Sequence, residues 1–301
     1  MNRRTRVAAA LIGAFIACAL HAQTIVAPSG RTLFRGASLL RSTFEIDRSS
    51  FNASGQSVTV TKYVPVLAVV YGFRPQWTVI AAQPYAGIQM TSRMPGMVQK
   101  LGFSGLGDTR LFIQYDGLYS RNSPGGLTRL SGVFGLQVPT GSSRITTGAA
   151  EYTAGLIFEK AVKLSYVFSA DSEYTFSTAN SRGISTGDSF RFDGAVARFI
   201  IPKGELASNA GPWKHAYSRI FRNGTYFIFE LNGQWQASGT LRGSSIANTG
   251  GTTLAVSPGI QYFVSNSFLA EWSFPIPVVR NLSGNQPRPQ TSFVMGFRYL
   301  F

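Results

Sequence analysis

Charged and amide side chains recur at every second position in several segments of the chain, where they alternate with apolar side chains. Between residues 106 and 119, Leu111, Ile113 and Tyr115 share one parity, so Asp108 and Arg110 fall on the opposite face. Rows of carboxylate and guanidinium groups suit a wet interior that discriminates between solutes by charge. The residues assigned to this inner face are Arg41, Glu45, Asp108, Arg110, Gln114, Asp116, Arg129, Gln137, Glu151, Asp171, Glu173, Arg191, Asp193, Glu230, Asn232, Gln234, Glu271 and Arg298.

The mixed signs of these side chains allow two interpretations. Arginines such as Arg110, Arg129 and Arg191 can pair with carboxylates on neighbouring strands and fill a rigid, closed interior. Alternatively, the same groups can line a narrow water-filled passage whose electric field selects solutes. The residue pattern alone leaves both interpretations open.

Enzymatic chemistry has little support in the sequence. A serine nucleophile needs a base, and beyond residue 22 the chain carries a single histidine, His215, in a connection between strands. No histidine, cysteine or carboxylate cluster has metal-ligand spacing, so no metal or other cofactor is expected. The stretch Gly105-Leu106-Gly107-Asp108 lacks the third glycine and the helix of a phosphate-binding loop. We therefore expect a protein without enzymatic activity, and a lipid-modifying enzyme is the weakest of the alternatives.

The elements that position these residues are strands, and the last of them is the clearest. In Thr291–Phe301 the residues at odd positions from Phe293 are apolar and mostly aromatic, with Ser292, Gly296 and Arg298 between them. This period of two predicts a strand with one apolar face, which suits a strand that closes a barrel in lipid. The ending, with Phe301 as its last residue, also resembles the terminal signature that assembly machinery reads in bacterial outer-membrane barrels.

The N-terminal stretch has the features of a secretory signal. Arg3, Arg4 and Arg6 precede an apolar run that is too short to cross a bilayer comfortably, and Ala22 offers a cleavage site. Cleavage after Ala22 would remove Cys18, the only cysteine, unless Cys18 is instead a lipidated first residue. The expected organisation is a leader over residues 1–22 and a single barrel domain over residues 23–301.

The composition narrows the class of protein further. The chain has 28 Lys and Arg against 13 Asp and Glu, and loss of the three leader arginines leaves a net charge of +12. Only 14% of the residues are charged and no basic cluster accompanies a nucleic-acid motif, so a nucleic-acid partner is not expected. After residue 22 no apolar stretch reaches the length of a membrane helix. These properties favour an all-β, transmembrane, antiparallel up-and-down barrel.

Counting alternating segments between turn residues predicts twelve strands, with ten or fourteen as alternatives. Even counts return both chain ends to the periplasmic side, where turns are short, and place longer loops outside. The outer loops include Ser92–Gly105, and Lys160-Ala161 is an expected periplasmic turn. The connection Pro202–Arg222 is unusually long for its side. The expected strands are 35–48, 57–73, 77–92, 106–119, 127–139, 150–159, 162–177, 189–201, 223–241, 251–264, 267–280 and 290–301.

Much of the positive charge falls in or beside the expected outer loops. Guanidinium groups form bidentate hydrogen bonds with phosphates and carboxylates, which lipopolysaccharide presents on the outer side of the membrane. We expect Arg93, Arg242 and Arg280, which lie closest to strand ends, to contact lipopolysaccharide. Arginines at the loop tips are expected to be solvated, or to steer anionic solutes toward the pore mouth.

Two short motifs relate the chain to a known family. Gly105-Leu106-Gly107-Asp108 opens a strand, and Gln137-Val138-Pro139-Thr140-Gly141 ends another before an outer loop. With these motifs the chain resembles the outer-membrane transporter family associated with the meta-pathway of phenol degradation. The resemblance covers most of the chain beyond the leader. It implies a Gram-negative outer-membrane barrel that admits small organic compounds, often aromatic or hydrophobic, and it supplies no catalytic residues. A structural or interaction barrel with a closed lumen is the main alternative.

Overall fold

The computed structural model describes residue 25 and residues 32–53, 56–123, 126–162, 165–200, 224–265 and 267–301. The expected leader with Cys18, residue His215 and the connection Pro202–Arg222 lie outside these residues. The barrel wall is built from twelve strands. They are β1 Ser38–Ala53, β2 Gln56–Arg74, β3 Trp77–Met94, β4 Met97–Leu106 with Thr109–Ser123, β5 Gly126–Val138, β6 Glu151–Val162, β7 Tyr166–Ser177, β8 Ser189–Ile200, β9 Thr225–Gln236, β10 Gly251–Phe263, β11 Phe268–Ser273 with Ile276–Leu282, and β12 Phe293–Leu300.

The sheet closes because its first and last strands pair with each other. Strand β1 is antiparallel to β12, from Leu39 opposite Leu300 to Ile46 opposite Phe293. Every other wall strand pairs antiparallel with its sequence neighbours. Closure lets strands satisfy their backbone groups without an exposed sheet edge, as a bilayer requires. The count of twelve is confirmed, and the alternatives of ten and fourteen are wrong.

The ends of the barrel differ in their connections. The terminal rim carries Ser38 and Leu300, together with the β2–β3 turn at Pro75-Gln76. Among the described residues, the longer connections lie at the other end, the loop rim, over residues 139–150, 178–188, 237–250 and 283–292. A three-stranded sheet of two-residue strands, Ile184–Ser185, Thr240–Leu241 and Ser244–Ser245, joins two of these loops.

Two expected connections are wrong. The region Ser92–Gly105 is mostly strand, because β3 and β4 keep pairing up to Met94 opposite Met97. Gly96, at φ +76°, adopts the left-handed conformation in the turn between them. Lys160 and Ala161 belong to β6, where they pair with β5 and β7, so the expected turn at these residues is also wrong. In both places the antiparallel pairing continues through residues that the sequence pattern assigned to a connection.

The outer surface of the barrel is a belt of exposed apolar and aromatic side chains. Strand β12 shows the alternation clearly, since Phe297 and Tyr299 are exposed whereas Arg298 and Leu300 are buried. An apolar exterior on a closed sheet is the arrangement of bacterial outer-membrane barrels, and it places the protein in that membrane. Among the described residues, no helix is long and apolar enough to span a bilayer. The belt includes Leu67, Val69, Tyr71, Leu111, Ile113, Phe134, Tyr152, Phe168, Tyr174, Phe190, Phe227, Phe229, Trp235, Trp272, Met295, Phe297 and Tyr299.

Candidate functional site: the luminal charge network

A buried carboxylate organises one side of the lumen, near the terminal rim. Glu271 on β11 is 0% exposed and accepts hydrogen bonds from Arg298 Nη2 at 2.7 Å and from Gln261 Nε2 at 2.9 Å. Arg41 Nη2 lies 3.4 Å from the other carboxylate oxygen. Register explains this group, because Arg41 on β1 stands directly opposite Arg298 on β12. The carboxylate of Glu271 therefore offsets the repulsion between two guanidinium groups.

A second charged group spans strands β7 to β10 closer to the loop rim. Arg191 forms an ion pair with Glu173 at 3.2 Å and contacts Asp193 at 3.1 Å, the latter without hydrogen-bond alignment. Asn232 Nδ2 donates to Asp193 at 2.9 Å, which fixes that carboxylate. Asp171 stands directly opposite Asp193 in the register, so a third carboxylate lies beside the two that contact Arg191. This part of the wall is net negative.

A third pair lies on the other side of the barrel. Arg129 Nη1 on β5 donates to Asp116 Oδ2 on β4 at 2.7 Å. The β4 register shifts between Tyr115 and Tyr119, and the bulge leaves Asp116 buried and directed at Arg129. The hydroxyl of Thr32 donates to the same Asp116 oxygen at 2.7 Å. A residue that precedes the barrel thus binds the inner wall.

Two described parts of the chain that precede the barrel strands, Ile25 and residues 32–34, contact the inner wall. Ile25 N donates to Glu230 Oε1 at 2.6 Å, and Ile25 O accepts from Arg41 Nη2 at 2.7 Å. Leu33 N donates to Thr78 Oγ1 on β3 at 2.9 Å. Because β9 lies across the barrel from β3 and β4, the two anchors stand on opposite walls.

Ile25 also makes apolar contacts inside the lumen. Its side chain is 2% exposed and packs with Val167, Ala197, Tyr226, Ile228 and Val294 on the inner wall. Gly259 leaves room for it, since a Cβ at that position would lie 2.7 Å from Ile25 Cδ1. The wall is therefore shaped to receive this residue. Sequence patterns gave no sign of the contact, because the residues around Ile25 have no strand periodicity.

The structure places the expected inner-face residues on the inside of the wall, at different depths. Those that are buried are Asp108, Gln114, Asp116, Asp171, Asp193, Glu230, Glu271 and Arg298. Those that are half-buried are Arg41, Glu45, Arg129, Gln137, Glu151, Glu173, Arg191 and Asn232. Arg110 and Gln234 are exposed. Their register brings Arg41, Glu271 and Arg298 together, as well as Glu173, Arg191 and Asp193, whereas Asp108 binds Gly141 N in a loop-rim connection.

The three arginines expected to contact lipopolysaccharide occupy different settings. Arg93 is exposed on the β3–β4 hairpin, and Arg242 is exposed at the turn of a loop-rim hairpin, where its φ is +51°. Arg280, in contrast, stands opposite Thr253, which stands opposite Gln234 on the inner face. A bulge in β11 between the partners of Leu254 and Ala255 produces this orientation. This register directs the Arg280 side chain to the inner face of the wall, and contact of the three arginines with lipopolysaccharide stays a prediction.

Several contributors to the interior were not anticipated. Gln261 and Ser257 are fully buried, and Ser257 Oγ donates to Asn232 at 2.6 Å. Ser257 and Gln261 have the same parity in β10, so the alternation of this strand places both on one face. Glu159, which is buried opposite Arg129, lies at the last position of an expected strand. Both histidines lie outside the described residues, and among the described residues no group of three His, Cys, Asp or Glu could hold a metal ion.

Comparisons with known proteins agree with this architecture. No curated protein sequence matches the chain. The structure is similar to an outer membrane channel from Pseudomonas putida F1, with a TM-score of 0.66 and 13% identity over 90% of this chain and 97% of that chain. It also matches the transport unit of the autotransporter AIDA-I from Escherichia coli, with a TM-score of 0.49 and 9% identity over 100% of both chains. At 13% identity the likeness to the Pseudomonas channel concerns the fold alone.

A family model matches most of the sequence. Residues 47–278 match the family described as "Putative MetA-pathway of phenol degradation". The match spans eleven of the twelve wall strands in whole or in part, from the half of β1 nearer the loop rim to the second segment of β11. The chain belongs to this family.

Proposed function

We propose that the protein is an outer-membrane channel that admits small organic solutes by passive diffusion through a narrow polar lumen. The observation that carries this proposal is the two-signed inner wall. Buried ion pairs contribute little to stability, and replacing them with apolar residues is often neutral or favourable. A barrel needed only for rigidity gains little from a core that includes Glu230, Glu271 and Arg298. A passage that must contact water and solute requires polar wall groups, and Arg110 and Gln234 of the same wall are exposed while Arg191 is half-buried.

Ile25 narrows this passage in the proposed mechanism. Glu230, Gln261 and Glu271 are 0% exposed, so the lumen is filled at their level. Ile25 contributes to the burial of these side chains, and two hydrogen bonds to side chains of the wall hold it in place. Such bonds are reversible, each contributing about 0.5–1.5 kcal/mol, or somewhat more when the partner is charged. Displacement of Ile25 widens the channel in the proposed mechanism.

Planar-bilayer conductance tests the proposal. We expect the unmodified protein to conduct weakly and Glu230→Ala to conduct several times more, because the variant loses the acceptor for Ile25 N. Asp47→Ala is the matched control, since Asp47 lies on β1, bonds to Ser292 and does not contact Ile25. Liposome swelling with neutral aromatic solutes measures the rate at which these solutes enter through the protein in the same preparations.

The closed-barrel alternative gives a different result. If neither the unmodified protein nor Glu230→Ala conducts ions or admits solute, while both are folded in the membrane, the lumen is a structural core and the loops carry the function. Lipid hydrolysis by the purified protein would instead support the enzymatic alternative.

A further inference from the structure

The barrel wall is interrupted on the loop-rim half, between β11 and β12. The first segment of β11 pairs with β12, from Phe268 opposite Tyr299 to Ser273 opposite Val294. The second segment, Ile276–Leu282, pairs with β10 but has no ladder with β12 among the described residues. Pro275 and Pro277 lie at the break, and proline has no N–H to donate. Ser292 N still donates to Pro275 O at 2.9 Å, and the pairing ends beyond this bond.

The chain on the other side of the seam pairs away from it. Residues Arg288–Pro289 form a short strand with β1, where Ser50 stands opposite Arg288. Gln290 N donates to Arg48 O at 2.7 Å, and Gln290 Nε2 donates to Ser50 Oγ at 2.9 Å. These bonds hold residues 288–290 against β1 and leave the space toward β11 unfilled.

A polar cavity of about 540 Å³ occupies this space. Its lining includes Arg280, Arg288, Ser50 and the amide side chains of Asn285, Gln286 and Gln290. The volume lies within the range of small-molecule pockets, roughly 300–1,000 Å³. Gln286 Nε2 donates at 2.7 Å to both Gly250 O and Ser283 O, so hydrogen bonds to the backbone support the loop that forms one wall.

The charge of the cavity is unbalanced. No acidic side chain belongs to the lining. Within the described ranges, neither Arg280 nor Arg288 has an ion pair or hydrogen bond from its side chain, whereas Arg41, Arg129, Arg191 and Arg298 all pair with carboxylates. Ser50 Oγ accepts from Gln290, which leaves its O–H free to donate.

We propose that this cavity binds the oxyanion of a carboxylate or phosphate group through Arg280 and Arg288. Guanidinium groups bind both anions by charge-assisted hydrogen bonds, and the Ser50 hydroxyl supplies a further donor. The anion can belong to a soluble organic acid or to a lipid headgroup, since the cavity lies in the wall at the loop rim. The site goes beyond the proposed channel function and does not depend on an open lumen.

Calorimetric titration tests the site on protein in detergent after removal of lipopolysaccharide. We expect benzoate and inorganic phosphate to bind, and benzamide, the neutral analogue of benzoate, not to bind. The variant Arg280→Gln/Arg288→Gln should weaken anion binding at least about tenfold, because it removes charge-assisted hydrogen bonds. Arg74→Gln/Arg121→Gln removes the same charge from other exposed positions and should change affinity less than twofold.

A second arm identifies the source of the anion. Purified lipopolysaccharide is added to each variant, and the thermal unfolding temperature is measured. Binding of the soluble anions that is lost in the double variant supports an organic-acid or phosphate solute. No soluble binding, but a stabilisation by lipopolysaccharide that requires Arg280 and Arg288, supports a lipid headgroup. The proposal is overturned if neither effect depends on these two arginines in protein that is folded.

Discussion

Replacement of Arg298 tests whether the carboxylate of Glu271 is shielded from water inside the lumen. In Arg298→Met, Glu271 keeps the hydrogen bond from Gln261 at 2.9 Å and the contact with Arg41 at 3.4 Å. Loss of one partner of a buried ion pair costs about 3–5 kcal/mol because the other charge stays buried. Since Arg41 remains close, we expect a loss near the lower limit, about 3 kcal/mol in the free energy of unfolding.

Two companion variants make the test specific. In Glu271→Gln/Arg298→Met the buried charge is gone as well, so the loss should be smaller than in Arg298→Met alone, at about 1–2 kcal/mol. Arg110→Met removes an exposed arginine whose Nε donates to Gln137 at 3.1 Å, and it should cost less than about 1 kcal/mol.

Urea titration in lipid vesicles, followed by tryptophan fluorescence, measures these differences. Trp235 and Trp272 lie on the outer surface and change environment when the barrel leaves the membrane. Equal losses for Arg298→Met and Arg110→Met would refute the reasoning, because they would show that Glu271 is hydrated in the membrane and that the lumen is open at its level.

Three further predictions concern the pore, assembly and the membrane surface. Arg129→Gln should alter the reversal potential in asymmetric salt, because it leaves Asp116 unbalanced on the inner wall; an unchanged potential counts against an open pore. Deletion of Phe301 should lower the folded fraction in cells, measured by heat-modifiable gel mobility, while refolding in detergent stays normal if assembly machinery reads this residue. Neutralising Arg93 and Arg242 together should lower the unfolding temperature in bilayers that contain lipopolysaccharide but not in zwitterionic lipid, and equal losses would argue against lipid contact.

The number of strands and the direction of most side chains followed from the sequence. A strand places successive side chains on opposite faces, so a period of two identifies the buried face without any knowledge of partners. The alternation in β12 and in β4 up to Tyr115 was sufficient to assign Arg298 and Gln114 to the interior, where both are buried. The closed sheet follows from the same pattern, since strands in lipid cannot leave an edge unpaired.

Tertiary structure decided the features that depend on contacts between distant residues. Ile25 enters the lumen because Glu230 and Arg41 bind its backbone, and they lie 205 and 16 residues away along the chain. Arg280 faces inward because a bulge in β11 shifts the alternation by one residue, and the nearby Pro275 and Pro277 do not by themselves determine where the shift falls. A period of two assigns faces only while the register is unbroken, so bulges and the segments that pack inside the barrel are fixed by the folded chain alone.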